Sequence, residues 1–372
     1  MNENLMVLPS SISSSVAIRM RDTAASYSLT SDGKDFSTFV CLWQTAYVKP
    51  LLILIILFVA TGTQAALRGW PAEIKEIKYR SAADKSDQPS LHFAPKTKKA
   101  RPLLVGLHSW SSDYRQANTS YGQWAVNHDW HFIHPNFRGR NRTPSSMGSE
   151  LAVQDILSAV SWAKQQGNVD PNRIYVIGAS GGGYASLLMA GRAPKLWAGV
   201  SAWVPISDLV KWHAETAARK LRYAGEIEAA LGGHKPVPGT PAHADALKRS
   251  AITYMARARG VNLDINAGIT DGHDGSVPIS HSLEAFNALA APKDRLSPAL
   301  IGEFVKTAKV PTTLRKEAAV DSRYGRKTVL FRRKSGAARV TIFQGGHEII
   351  PEAGLQWLAK QVRKEQDSPP EK

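Results

Sequence analysis

Residues 173–190 read RIYVIGASGGGYASLLMA, and the rest of the chain takes its place around this stretch. Ile174, Tyr175, Val176 and Ile177 form a short apolar run rich in β-branched residues, the pattern of a strand buried on both faces. Tyr184, Leu187, Leu188 and Met189 then recur at helical spacing. Between them stands Gly178-Ala179-Ser180-Gly181-Gly182, a G-x-S-x-G in which a strand must turn into a helix within about one turn. Glycines flank the serine where a side chain would block the reversal. This is the setting of a nucleophile elbow, which holds a serine hydroxyl exposed above a sheet and calls for an acid and then a histidine further along the chain.

Working outward, residues 103–110, LLVGLHSW, predict a buried strand ending in polar residues, and 130–134 a further strand. Residues 151–166 carry a strong helical pattern through Leu151, Ile156, Leu157, Val160 and Trp162, and Asp170-Pro171-Asn172 breaks it just before the elbow strand. Earlier strands are expected over 74–79 and 91–94, with a helix over 114–128. Strands alternating with helices indicate a mostly parallel sheet covered on both faces.

The bulk numbers set limits. A chain of 372 residues, 43% hydrophobic and 21% charged, has ample material for a core, and most of it is not disordered. The formal net charge is +16, and residues 1–65 balance four basic against four acidic side chains, so the whole excess follows them. Such a charge favours anionic partners or surfaces, an acidic polysaccharide or a cell envelope among them. The basic residues are scattered rather than banded and no nucleic-acid recognition motif occurs, so nucleic acid is not an expected partner. Cys41 is the only cysteine, which leaves no disulfide framework within the chain.

The run 149–208, with ELAVQDI, VDPNRIYVIGASGGGYASLLMAGR and GVSAWVPISDL, resembles the catalytic domain of the prolyl oligopeptidase family of serine hydrolases. The GASGGGY arrangement is more specific than G-x-S-x-G alone, and the resemblance extends more thinly from about residue 103 to the final helix. It implies an α/β-hydrolase fold with about eight strands, an acyl-enzyme mechanism, and activity on peptides or esters without metal or organic cofactor. In that frame His108-Ser109-Trp110-Ser111 occupies the loop that supplies one oxyanion donor, so the amide of Trp110 is expected to pair with that of Gly181. His108 itself reads as a hydrogen-bonded structural histidine.

The remaining site residues follow in order. Residues 261–268 alternate well enough for a strand, and TDGHDGSVPISHSL comes next. Asp274 fits the D-x-x-V-P arrangement common where this family places its acid, whereas Asp271 lies closer to the strand end; Asp274 is favoured and Asp271 is the alternative. After strands over 327–332 and 339–343, Gln344-Gly345-Gly346-His347-Glu348 sets a histidine on a flexible loop, completing the order Ser180, Asp274, His347. Residues 205–260 read as a cap, with Trp203 and Trp212 as candidates to line a substrate pocket. His213, His234 and His243 lack metal-ligand spacing.

Residues 66–362 are thus expected to form a single α/β-hydrolase domain, with 291–326 a polar, basic insertion of unassigned role and 363–372 a disordered tail. LLILIILFVA at 51–60 is short for a membrane span but suits a signal-peptide core, with Thr63-Gln64-Ala65 before a cleavage point. An exported protein, periplasmic or extracellular, is expected, an uncleaved membrane anchor being the alternative. The functions compatible with the sequence are an exported peptidase, an esterase of carbohydrate or short-chain acyl groups resembling an acetyl xylan esterase, and a catalytically silent binding protein on the same scaffold.

Overall fold

The computed structural model describes residues 69–363; the expected signal segment, its cleavage point and the expected tail beyond Arg363 lie outside them, while Arg363 itself donates its amide to the Asn172 carbonyl at 3.0 Å. Among the described residues no helix is long and apolar enough to cross a membrane.

The chain forms a nine-stranded sheet from β1 (Lys75–Arg80), β2 (Asp87–Phe93), β3 (Arg101–Leu107), β4 (His131–Pro135), β5 (Val169–Ala179), β6 (Gly199–Trp203), β7 (Leu263–Gly268), β8 (Val329–Ser335) and β9 (Ala338–Phe343). Their spatial order is β1-β2-β4-β3-β5-β6-β7-β9-β8. The six strands from β4 to β9 run parallel, and β1, β2 and β8 are antiparallel at the edges. This is the α/β-hydrolase architecture. The sheet has nine strands where the resemblance implies about eight, and β8, antiparallel to β9, forms its outer edge.

Parallel strands need helical crossovers, and these cover both faces. The main ones are α1 (Thr119–Asn127), α2 (Glu150–Gln165) and α3 (Gly181–Arg192). Ser149 caps α2 by accepting the Ala152 amide at 3.2 Å. The elbow strand is buried as its sequence requires, Ile174 through Ile177 being 0–1% exposed. It starts five residues earlier than the apolar run, because Val169 already pairs with Arg101 and the Asp170-Pro171-Asn172 interruption becomes a register shift within the ladder rather than its start.

Four further helices follow β6 and β7: α4 (Leu209–Ala218), α5 (Tyr223–Ala230) and α6 (Pro241–Arg249), then α7 (Ser280–Leu289). Residues 291–326 contain α8 (Pro298–Thr307) and short 3-10 turns. This segment reads as polar in sequence, yet Leu296, Phe304, Leu314 and Tyr324 are all buried. Its apolar residues are few among charged and polar neighbours, but Leu300, Ile301, Phe304 and Val305 fall at helical spacing on α8, and Ile301 and Phe304 are buried.

Tyr324 is 1% exposed. Its ring lies 5.8 Å from Trp203 and 6.0 Å from Phe343, and its hydroxyl donates to Asn266 Oδ1 at 2.5 Å. The Asn266 Nδ2 group has no partner among the described residues, so this bond is the amide's side-chain anchor. Tyr324→Phe leaves that buried oxygen unpaired and is expected to destabilise the fold by about 1–3 kcal/mol; a urea midpoint unchanged from the parent would refute it.

Candidate active site

Ser180 sits between β5 and α3 with φ 57° and ψ −120°. A non-glycine residue in this region is strained and persists only where its surroundings impose it. The surroundings are visible: the Ser180 amide donates to the Trp203 carbonyl at 2.9 Å, and its own carbonyl accepts the Tyr184 amide at 2.8 Å. At the tip of the adjacent strand Val204 is also forced to positive φ, 42°.

The glycines after Ser180 each admit a different piece of backbone. A Cβ on Gly181 would lie 2.3 Å from the Trp110 nitrogen, one on Gly182 2.3 Å from the Leu107 carbonyl oxygen, and one on Gly183 2.4 Å from the Trp203 carbonyl oxygen. The start of α3 is therefore wedged between the ends of β3 and β6, and backbone cannot yield as a flexible side chain can. The run of three glycines is a packing requirement as well as a turn.

The first consequence is that the amide of Trp110 is brought close to Gly181, whose own amide adjoins Ser180. Neither has an acceptor among the described residues. Trp110 is itself pinned, since its indole Nε1 donates to Glu226 Oε2 at 2.8 Å and its ring packs edge-on against Trp212 at 4.7 Å. Glu226 lies on α5, 116 residues away, and nothing in the sequence marks it. His108 is fully buried, stacked 3.9 Å from Phe137, with Nε2 2.8 Å from the Asn136 carbonyl oxygen. Burial pushes its pKa below the ordinary imidazole value. It is a structural residue under the loop.

The carboxylate that meets His347 is not the one favoured in sequence. His347 Nδ1 donates to Asp271 Oδ2 at 2.8 Å. Asp271 Oδ1 accepts the amides of Gly272 at 2.9 Å and Val277 at 3.3 Å, so the carboxylate is fixed at both oxygens. Asp274 is exposed, on a turn whose amide returns to the Thr270 carbonyl at 3.1 Å. Val277 of the D-x-x-V-P pattern does contribute, but its amide serves the aspartate six residues before it. Proximity to the strand end was the better guide because the turn over 270–274 carries Asp274 outward.

The loops after β7 and β9 are tied together. Ile269 and Thr270 donate to the carbonyls of Phe343 and Gly345, and Gly268 has no room for a side chain against the carbonyl of Gly346. Glu348 accepts the Gly346 amide at 3.2 Å and pairs with Lys327 at 2.8 Å. His273 meets the Val305 carbonyl at 2.6 Å. The segment 291–326, given no role in sequence, thus braces the acid loop through its helix α8.

Trp203 requires a second correction. It lines no pocket: it is 0% exposed, its Nε1 donates to Ser201 Oγ at 2.9 Å, and its ring packs on Tyr324 and Phe343. Strand alternation turns its side chain under the sheet, while its carbonyl holds the elbow. Trp212, by contrast, stands over the site side, donating to the Ser276 carbonyl at 3.0 Å and packing on Trp110 and Tyr223. No group of three His, Cys, Asp or Glu residues among the described residues could hold a metal ion.

The sequence profile of the prolyl oligopeptidase family matches residues 145–301. Over this segment the chain is similar to the prolyl oligopeptidase family. The segment contains the elbow, α4 to α7 and Asp271, whereas His347 lies beyond it. The chain is 28% identical over 130 residues to dipeptidyl aminopeptidase BIII of Pseudoxanthomonas mexicana, a match covering 32% of this chain and 19% of that protein. It therefore spans about a fifth of this relative's length. Among solved structures, the acetyl xylan esterase of Paenibacillus sp. R4 aligns with TM-score 0.54 at 17% identity over 77% of this chain and 84% of that one. The Pyrococcus horikoshii acylaminoacyl peptidase in its orthorhombic form aligns with TM-score 0.53 at 15% identity, over 80% and 43% of the two chains. At these identities the structural likeness concerns the fold.

Proposed function

We propose that this protein is an exported serine hydrolase that cleaves peptide or ester bonds through Ser180, His347 and Asp271. One observation carries the reading: a serine held in a strained elbow stands at the sheet edge from which a hydrogen-bonded Asp271–His347 pair also rises. The strand order supports it, because Ser180 follows β5 while Asp271 and His347 follow the parallel strands β7 and β9.

The chemistry follows from the groups. A serine hydroxyl is a weak nucleophile at neutral pH and needs a base. His347 Nε2 takes the Ser180 proton as Oγ bonds to the substrate carbonyl carbon, then returns it to the leaving nitrogen or oxygen as the scissile bond breaks. Asp271, accepting from Nδ1, holds the imidazole in the tautomer with Nε2 free and stabilises its cation. The Trp110 and Gly181 amides receive the charge on the carbonyl oxygen, a contribution of about 10²- to 10³-fold per donor. Water, deprotonated by His347, then cleaves the acyl-enzyme and restores the serine.

A peptidase is the first reading, supported by the prolyl oligopeptidase family profile that matches residues 145–301. An esterase of carbohydrate or short-chain acyl groups is the second, supported by the extent of the overlap with the acetyl xylan esterase. Export rests on the hydrophobic run at 51–60. The mature protein treated with a neutral fluorophosphonate is expected to carry the label at Ser180, mapped by peptide mass. A folded sample that takes no label overturns the catalytic reading in favour of a binding protein. Turnover of an aminoacyl amide supports the peptidase; turnover of an acetyl ester alone excludes it.

A further inference from the structure

Resting on the hydrolase reading above, we infer that the turn joining α4 to α5 makes the site selective for substrates that carry an anionic group. Residues 219–222 read Arg-Lys-Leu-Arg, and all three cations are exposed. The two arginines reach opposite sides of the candidate site. Arg222 Nη2 donates to Ser111 Oγ at 2.9 Å, beside the Trp110 amide. Arg219 Nη2 donates to the Gly275 carbonyl at 2.8 Å, and a Cβ on Gly275 would lie 2.6 Å from His347 Cβ. In the sheet, Trp110 follows β3 on one side of β5, and the acid and histidine loops follow β7 and β9 on the other. The turn therefore reaches loops on both flanks of Ser180.

The charges there are poorly neutralised. Both arginines use neutral partners, a hydroxyl and a carbonyl, and among the described residues neither Arg219 nor Lys220 forms an ion pair. The carboxylate paired with Arg222 is Glu226 at 3.7 Å, and Glu226 is already bound by the Trp110 indole through its other oxygen. Asp274, exposed one residue before Gly275, forms no ion pair among the described residues. Of the further acids next to the arginines' partners, Asp113 accepts the Arg115 amide and Glu348 pairs with Lys327. A guanidinium that bonds a hydroxyl or carbonyl exchanges it readily for a carboxylate, which it binds in a fork of two charge-assisted bonds. The excess of positive charge on the whole chain adds attraction at longer range.

The test compares the succinyl and butyryl esters of 4-nitrophenol, acyl groups of equal chain length that differ by one carboxylate. Activated esters are accepted by serine peptidases and esterases alike. At low salt the succinyl ester is expected to show a kcat/KM about tenfold higher, and the preference to shrink several-fold as salt rises to about 0.5 M, where the screening length falls to a few ångströms. In the double variant Arg219→Gln, Arg222→Gln the succinyl-to-butyryl ratio is expected to fall about tenfold. The salt series uses the unaltered protein and stands whether or not the variant folds. A butyryl preference, or a ratio that neither salt nor the substitutions move, overturns the inference. If neither ester turns over while the neutral fluorophosphonate still labels Ser180, the inference falls and the activated serine stands; if labelling also fails, the hydrolase reading falls with it.

Discussion

Asp271→Asn is expected to lower kcat about 10⁴-fold, while Asp274→Asn leaves it within about threefold of the parent. The two aspartates are three residues apart on one loop, and the contrast tests the geometry rather than the composition of the site. Asp271 is 2% exposed, its Oδ2 accepting from His347 and its Oδ1 from two backbone amides. An amide in its place can offer Oδ1 to those backbone donors, but the NH₂ then faces His347 Nδ1. The imidazole must turn its unprotonated nitrogen toward that group, which places the proton on Nε2 and leaves no base for Ser180. The carboxamide is similar in size to the carboxylate, so loss of turnover with retained folding isolates the tautomer effect. Asp274 touches neither partner, and its removal changes only charge at the rim. Equal losses from both substitutions, or a larger one from Asp274→Asn, would assign the acid differently.

Trp203→Ala is expected to cost about 3–5 kcal/mol, the range for deleting a large buried aromatic side chain. That is a substantial share of the 5–15 kcal/mol typical of a folded protein. The ring fills the space among Tyr324, Phe343 and Gly354, where a Cβ on Gly354 would come within 2.9 Å of Trp203 Nε1. Its backbone carbonyl also holds the Ser180 amide, so a collapse of the core beneath it shifts the elbow. Trp203→Phe, which keeps most of the apolar contact and loses the bond to Ser201, is expected to recover more than half of the stability. Denaturant midpoints provide the measure. A normal midpoint combined with a raised KM would return Trp203 to the substrate pocket.

Much of the candidate site was legible in sequence because the chemistry constrains short stretches. A serine on a strand-to-helix reversal needs glycines around it, and the order of strand, GASGGGY and helix can be read locally. His347 was equally visible, on a glycine-rich loop directly after a strand. The acid was harder, since Asp271 and Asp274 lie on the same short loop and both belong to acceptable local patterns. What distinguishes them is the direction in which the turn over 270–274 points each carboxylate, and that direction depends on ties between Thr270 and the loop after β9, 75 residues away.

The sequence by itself determined the alternation of strands and helices, the elbow at Ser180 and the histidine loop, because each rests on periodicity or on backbone freedom within about a dozen residues. Only the tertiary structure decided that Asp271 meets His347, that Trp203 belongs to the core, that Glu226 pins Trp110, and that residues 291–326 brace the acid loop. Those outcomes join residues tens to more than a hundred positions apart, and each depends on which strands lie side by side and which way a side chain points. Local propensity is silent about both.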